Sequence, residues 1–422
     1  MVQTSGSRSR RRLGPAAALA PAAEPAAASD CAKATVVACR RYAAEPARFA
    51  ASLWRGPLVH VHRIGRTGRL CIGAGGYHTF RIPALLATPK GTLLAFCEAR
   101  KLGRGDSGEI DMVVKRSEDG GRSWSRPQLV WGDGANTCGN PCPVVDRKTG
   151  RILLPMTWNR GEDGGKELHQ GTAKGTRRVF LTGSDDDGRT WAEPREITSE
   201  AKAADWWWYA TGPGVSIQIR RARTPGASSS RPTTHRRKMA SRRIRSAPTM
   251  AAERGGFSNP IAPAPCNESQ VVELSDGRLM MNMRSQSFTN KERNGYRAIA
   301  FSDDGGAHWT PPELDAHLGD PQVQASLIRY SWPGEPAGNV LLFANPSPPV
   351  SPERGKRVRM TVRLSRDDGK TWPSERVIHE GPLKLARFPD GSIGLLCEGG
   401  AQRALKNIRL ARFSLDWLAG GV

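Results

Sequence analysis

The sequence contains no long apolar run and few cysteines. Its 422 residues are 38% hydrophobic, and no segment approaches the roughly 18 to 20 apolar residues that a membrane-spanning helix needs. We therefore predict no transmembrane segment. Eight cysteines are too few and too scattered for a disulfide scaffold. Cys138 and Cys142 lie close together, but no further ligand follows at a zinc spacing, so we predict free or partly buried thiols and no metal site.

Acidic residues are scarce relative to basic ones, and the formal net charge is +23. Much of this excess is local, because the stretch from Arg220 to Arg254 holds eleven basic residues and one acid. A nucleic-acid patch would place aromatic residues among the arginines or show a periodic pattern, and this stretch has neither. We predict no nucleic-acid partner. Residues 221–256 are better explained as an aberrant Arg-rich segment, produced by a local frameshift in the coding sequence or by an inserted disordered chain.

The N-terminal stretch combines an arginine cluster with an Ala/Pro-rich run, which is the outline of an export signal. Pro15, Pro21 and Glu24 interrupt its apolar part. We expect residues 1–70 to form a poorly ordered leader, either a cleaved export signal or the disordered start of a soluble cytoplasmic protein. Residues 71–418 are expected to form the folded domain.

One eight-residue phrase recurs four times in the chain. Each copy has Ser, Asp, Gly and Trp at the same offsets, in SEDGGRSW (117–124), SDDDGRTW (184–191), SDDGGAHW (302–309) and SRDDGKTW (365–372). Ser and Asp side chains bond nearby backbone amides, Gly supplies a positive φ, and the Trp indole packs the turn against the core. We therefore predict four compact turns, each joining two strands.

The spacing of these phrases predicts the architecture. Short β-branched runs of strand length flank each phrase, which indicates an all-β chain. Successive phrase tryptophans are 67, 118 and 63 residues apart, so the middle interval equals about two periods. A repeat of this length is typical of a β-propeller blade. One blade, near residue 250, has lost its phrase.

Three groups of residues together resemble the exo-α-sialidase (neuraminidase) family. They are YHTFRIP at 77–83, the four Asp-box phrases, and NESQ followed by NMR within 267–284. The resemblance covers about residues 71–415 and is broken at 221–256. It implies a six-bladed Asp-box propeller that hydrolyses terminal sialic acids from sialylated glycoproteins or glycolipids by a retaining mechanism, with no cofactor.

The resemblance also implies which side chains bind the substrate. A sialic acid carries a carboxylate beside its anomeric carbon, and arginine pairs with both oxygens of such a group. Arg81 and Arg284 match two of the family's three carboxylate-binding arginines. Arg357 is the best match to the third arginine, although its neighbours Arg354 and Arg359 leave the register open. Tyr209 matches a segment that lines the sugar pocket, and core packing is the alternative for it.

Two carboxylates are the candidate catalytic groups. By resemblance, Asp106 in a Gly-rich loop is the general acid/base. Glu268 is the partner that draws a proton from a nucleophilic tyrosine. That tyrosine is absent here, because only LKLARF (383–388) separates HEGP from the PDGSIG segment, and Cys397 stands where a further tyrosine is usual. Two readings of another class therefore stay open: a propeller that binds sialoglycans without hydrolysis, and an Asp-box glycosidase acting on uncharged sugars.

Overall fold

The structure, a computed structural model, is built almost entirely from antiparallel sheets. It describes residues 60–63, 74–202, 204–220, 244–245, 266–285, 295–306, 308–347, 357–379, 383–399 and 407–420. The strands form six successive groups, so the predicted all-β propeller is confirmed. The aberrant segment 221–256 lies outside the described residues apart from one short strand, Ile244–Arg245.

The first two blades are joined into one sheet by a single parallel pairing, Ile110 with Thr137. The strands of blade one are β2 (Thr79–Ala87), β3 (Leu93–Arg100), β4 (Ile110–Ser117) and β5 (Gln128–Trp131). Those of blade two are β6 (Thr137–Gly139), β7 (Val144–Val145), β8 (Ile152–Asn159), β9 (Arg178–Ser184) and β10 (Arg195–Glu196).

Blade three is represented by one antiparallel pair, and blades four and five each form a four-stranded sheet. The pair of blade three is β11 (Ile217–Gln218) and β12 (Ile244–Arg245). Blade four comprises β13 (Cys266–Glu273), β14 (Leu279–Ser285), β15 (Tyr296–Ser302) and β16 (Glu313–Gly319). Blade five comprises β17 (Ser326–Ser331), β18 (Val340–Pro346), β19 (Met360–Ser365) and β20 (Ser374–His379).

Blade six takes one of its four strands from the other end of the chain. Its later strands are β21 (Leu383–Arg387), β22 (Ile393–Gly399) and β23 (Asn407–Phe413). Strand β1 (His60–Arg63) pairs antiparallel with β23 and completes the sheet. This strand precedes residue 71, where the sequence pattern placed the start of the propeller, so the sheets extend further toward the N-terminus than the repeat indicates.

The described helices are short. They are α1 (Gly165–Gln170), α2 (Thr198–Ala201) and α3 (Leu415–Leu418), together with a 3₁₀ turn at Ala74–Gly76. No helix in the described part of the chain is long and apolar enough to cross a membrane. The five cysteines within that part are all buried, and none of them forms a disulfide with another described residue.

The repeated phrase forms the turn that its residues predict. In the first copy, Ser117 Oγ accepts a hydrogen bond from the Gly121 amide at 2.8 Å, and the Asp119 carboxylate accepts from the Ser123 amide at 2.9 Å. Gly121 has a φ of 92°, a conformation that favours glycine. Trp124 is buried and donates from its indole nitrogen to the Gly121 carbonyl. The turn thus holds itself together and is anchored to the core by one ring.

Candidate active site

Five of the side chains singled out from the sequence line one cavity of about 280 Å³; they are Arg81, Asp106, Glu268, Arg284 and Arg357. They come from blades one, four and five, and more than 270 residues of sequence separate the first from the last (357 − 81 = 276). The propeller fold brings these residues together, because the inner strands and loops of all blades converge on one axis. The ends of these blades therefore supply a charged cavity.

Arg81 is positioned by an irregularity in strand β2. The register between β2 and β3 shifts between Arg81 and Ala84, and Ile82 has a φ of 53°. Positive φ is costly for a β-branched residue and persists only where neighbouring contacts hold it. Glu398 on β22 supplies such a contact, since its Oε1 accepts a hydrogen bond of 2.8 Å from the Ile82 amide. Its Oε2 lies 3.7 Å from Arg81 Nε.

Glu398 is a buried carboxylate that the sequence analysis did not select. Its side chain is 2% exposed, and burial raises its pKa, while the Arg81 guanidinium opposes that rise. It sits in the apolar strand GLLCEG. A charged residue inside such a strand needs a partner of opposite charge or a hydrogen-bond donor. The position of Glu398 in an apolar strand was therefore the feature of the sequence that indicated a buried, paired carboxylate. Glu98 and Arg100 in LLAFCEAR carry the same signal, because every residue of that strand is buried.

Arg284 and Glu268 face each other from paired strands of blade four. Arg284 Nη1 donates to Glu268 Oε2 at 2.7 Å, and both side chains are largely buried. Desolvation would lower the pKa of Arg284, but the Glu268 carboxylate outweighs it and raises that pKa. A register shift between Cys266 and Ser269 interrupts β13 at this point. The bulge presents the Glu268 side chain at the cavity wall.

Arg357 lies just before β19 and differs from the other two arginines in its partner. Its Nη2 donates to the Gln322 carbonyl at 2.8 Å, and no carboxylate among the described residues forms an ion pair with it. Desolvation in the cavity lowers the pKa of Arg357, and the nearby Arg284 guanidinium lowers it further. An anion bound between these guanidinium groups would relieve that repulsion.

Two nitrogen donors of the cavity have no hydrogen-bond acceptor among the described residues. They are Nε of Arg81 and Nε of Arg284, both buried. A buried donor without an acceptor costs free energy, and a bound ligand that supplies an acceptor would remove that cost. Together with Arg357 they leave the cavity suited to a ligand rich in acceptor oxygens.

Asp106 is held at the cavity mouth by two arginines. Its Oδ1 accepts from Arg100 Nη1 at 2.8 Å and from Arg81 Nη1 at 3.1 Å, and its side chain is 75% exposed. Partial desolvation tends to raise the pKa of Asp106, but Arg100 and then Arg81 outweigh it and keep the pKa below its usual value. Arg100 also donates to the carbonyls of Arg104 and Gly105, so it fixes the loop itself.

Tyr209 is not among the residues that line the cavity, and its position agrees with the alternative of core packing. The Tyr209 side chain is 1% exposed, and burial raises its pKa. Its neighbour Trp208 lines the cavity instead, with the His169 ring 4.8 Å away and the Arg177 guanidinium 5.5 Å from the Trp208 ring. Four aromatic residues are adjacent at 206–209, and the surrounding blade determines which of their rings faces the cavity.

Arg177 is a further cavity residue that the sequence pattern did not indicate. It is buried and donates to Asn159 Oδ1 at 3.1 Å and to the Tyr209 carbonyl at 3.3 Å. Desolvation lowers the pKa of Arg177. In sequence it stands in a polar turn before β9, where arginine is unremarkable, so no local pattern marks it.

The tyrosines in the described part of the chain lie away from the cavity lining. Tyr77 donates to Asp111 Oδ2 at 2.7 Å. Tyr330 donates to the Gly391 carbonyl at 2.7 Å, and Tyr296 lies on β15. The inner strand of blade six, where the resemblance placed the nucleophile, carries the buried Lys384. Residues 380–382 and Tyr42 lie outside the described residues.

Comparisons with known proteins show the family to which the chain belongs. A family model described as a BNR repeat-like domain matches residues 91–402. A sialidase of Micromonospora viridifaciens is 34% identical over 368 residues, which are 82% of this chain and 53% of that protein. An exo-alpha-sialidase of Aspergillus fumigatus is 31% identical over 400 residues, or 86% of this chain and 91% of that one.

A solved structure shows the same fold. The Hadza microbial sialidase Hz136 superposes with a TM-score of 0.63 at 26% identity, covering 82% of this chain and 68% of that one. An intramolecular trans-sialidase from Ruminococcus gnavus superposes with a TM-score of 0.60 at 17% identity and covers 83% and 97% of the two chains. The second likeness concerns the fold alone.

Proposed function

Because the chain belongs to the exo-α-sialidase family of BNR-repeat propellers, we propose that it hydrolyses terminal α-linked sialic acids of glycoproteins or glycolipids. One observation carries the proposal: Arg81, Arg284 and Arg357 line a single cavity together with Asp106 and Glu268. Three guanidinium groups suit a substrate that carries a carboxylate at its reacting carbon.

The arginines would bind the sialic acid carboxylate and thereby fix the anomeric carbon. Arg357 has no carboxylate partner among the described residues, and buried Nε donors of Arg81 and Arg284 lack acceptors. A carboxylate oxygen satisfies donors of this kind with charge-assisted hydrogen bonds. Each such bond contributes roughly 1.5 to 3 kcal/mol. Substrate binding would thus replace the repulsion among the guanidinium groups with ion pairs to the substrate carboxylate.

Asp106 would serve as the general acid, and the same binding event would prepare it. In the empty cavity Arg81 contacts Asp106 at 3.1 Å and helps to lower the pKa of that carboxyl. A substrate carboxylate competes for Arg81 and brings its own negative charge near Asp106. Both changes raise the pKa of Asp106 and favour the protonated form that the leaving oxygen needs.

The retaining route implied by the family resemblance requires a tyrosine nucleophile. The segment 383–388 does not contain one. In this proposal Asp106 and the arginine cluster keep their family roles, and hydrolysis by this chain depends on a different attacking group.

A fluorogenic α-sialoside assay beside a binding titration tests the proposed function. We expect release of the aglycone by the wild-type chain and a decrease of roughly 10²- to 10⁴-fold for Asp106→Asn. An exposed carboxylate remote from the cavity, Glu196 on β10, provides the matched control as Glu196→Gln. Binding without release, lost on Arg81→Ala, would instead identify a non-hydrolytic sialoglycan-binding propeller. Activity on uncharged glycosides would show that the arginines have another purpose.

A further inference from the structure

Four carboxylates line the cavity, and their surroundings differ. Glu98 accepts from Arg100 through one oxygen and from the Asn140 amide through the other, at 3.0 Å. Glu398 is held by the Ile82 amide and the Arg81 guanidinium. Both are almost fully buried, and each is paired with an arginine and a backbone amide. Neither is available for a reaction with substrate.

Glu268 is different because one of its oxygens is uncommitted. Oε2 accepts from Arg284 Nη1, whereas no hydrogen-bond donor among the described residues contacts Oε1. The side chain is 14% exposed and lines the cavity, so water reaches it. Arg284 holds the carboxylate in place. Glu268 is therefore a fixed, accessible base.

The two accessible carboxylates come from different blades of the ring. Asp106 follows β3 of blade one, and Glu268 lies on β13 of blade four. In a ring of six blades, the fourth stands opposite the first. This blade order would place an acid and a base at different faces of a sugar bound in the cavity, which is the arrangement that a single displacement by water needs.

The other nucleophilic side chains do not offer a covalent alternative. Of the five tyrosines, the four in the described residues do not line the cavity, and segment 383–388 contains none. Cys397 is fully buried, and burial raises the pKa of its thiol, so the thiol remains protonated. Lys384 is also buried, and its Nζ donates to the carbonyls of Pro213 and Ala325 at 2.6 and 2.8 Å.

We infer that Glu268 acts as the general base for a direct attack by water, so that this chain inverts the configuration of the sialic acid it releases. The inference rests on the proposed function. The water oxygen forms a bond to the anomeric carbon as the bond from that carbon to the glycosidic oxygen breaks. The leaving oxygen keeps the bonding electron pair and takes the proton of Asp106, while the water proton passes to Glu268. Proton exchange with solvent then restores both carboxylates.

The anomer formed first distinguishes the two routes. Proton NMR recorded during early turnover of an α-sialoside, before mutarotation, should show the β anomer of sialic acid accumulating ahead of the α anomer. The α anomer appearing first would overturn the inversion and leave the sialidase function intact. No release of sialic acid would overturn the sialidase function, and the inversion with it.

A second experiment examines the covalent step directly. A 3-fluorosialosyl fluoride traps a glycosyl-enzyme in enzymes that form one. Intact-mass measurement should show no adduct on this chain, and a stable adduct would contradict the inference whichever residue carried it. Glu268→Gln should lower kcat by roughly 10²- to 10⁴-fold, the usual contribution of a general base. Glu196→Gln should leave kcat unchanged, and wild-type kcat for Glu268→Gln would exclude Glu268 as the base.

Discussion

Arg357 offers a quantitative test of the carboxylate site, through Arg357→Ala and its neighbour Arg359→Ala. Arg357 lines the cavity, whereas Arg359 is not among the residues lining it. Removing Arg357 deletes a charged donor worth roughly 1.5 to 3 kcal/mol. It also removes the repulsion between Arg357 and Arg284. The loss of this repulsion stabilises the empty cavity, so the affinity for the anion decreases further. Solvent at the cavity mouth reduces the effect toward the lower end.

We therefore expect the dissociation constant for an unsaturated sialic acid analogue to rise roughly 10- to 100-fold, since each factor of ten corresponds to about 1.4 kcal/mol. Isothermal titration calorimetry at two salt concentrations measures this change. The salt dependence should weaken in Arg357→Ala, because one fewer cation attracts the anion. Arg359→Ala should behave as wild type. If Arg359→Ala instead weakens binding while Arg357→Ala does not, the assignment of the third arginine is wrong.

Three further outcomes follow from the charges of the fold. Arg100→Gln removes the strongest cation beside Asp106, so the pKa of Asp106 should rise and the alkaline limb of the kcat/KM profile should move to higher pH. Desolvation tends to raise the pKa of Asp119, but hydrogen bonds from Ser123 and Ser117 outweigh it and lower the folded-state pKa to about 2. The ionised Asp119 therefore contributes to folding stability above about pH 4, and this contribution is lost as the pH falls through about 2. Asp119→Asn should cost about 1 kcal/mol at pH 7 in urea unfolding and should flatten that acid loss. Burial lowers the pKa of Lys384 to about 7. Between about pH 7 and 10 the unfolded state therefore binds more protons than the folded state. The free energy of unfolding should rise with pH in this range, by at most about 1.4 kcal/mol per pH unit. Lys384→Met should lose that rise in denaturation curves at pH 7, 8 and 9.

The fold and most of the charged cavity could be predicted because their determinants are local. Each Asp-box turn is encoded within eight consecutive residues, and the hydrogen bonds of Ser117 and Asp119 stay inside that span. Arg81, Arg284 and Glu268 stand in short phrases that resemble motifs of the exo-α-sialidase family. The residues of the repeated phrase thus predict the turn directly, and the family resemblance predicts the candidate anion-binding groups.

The remaining features depend on contacts between distant parts of the chain. Glu398 accepts a hydrogen bond from the Ile82 amide and so stabilises the Ile82 conformation, although 316 residues of sequence separate the two. No local sequence pattern predicts this pair. The Trp208 ring meets the cavity while the Tyr209 ring packs inward, because the blade and not the aromatic run sets which face is inner. Strand His60–Arg63 lies too far from the last repeat to be assigned to it by periodicity.

The pairing of β1 with β23 affects how this protein is made. On the ribosome His60–Arg63 is synthesised 344 residues before its partner strand Asn407–Phe413 begins (407 − 63 = 344). Until then the unfinished chain presents open sheet edges that are prone to associate with other chains. Such long-range closure also makes acquisition of the native state slow. Yield in a recombinant host should therefore respond to chaperones and to growth temperature more strongly than the stability of the finished ring would suggest.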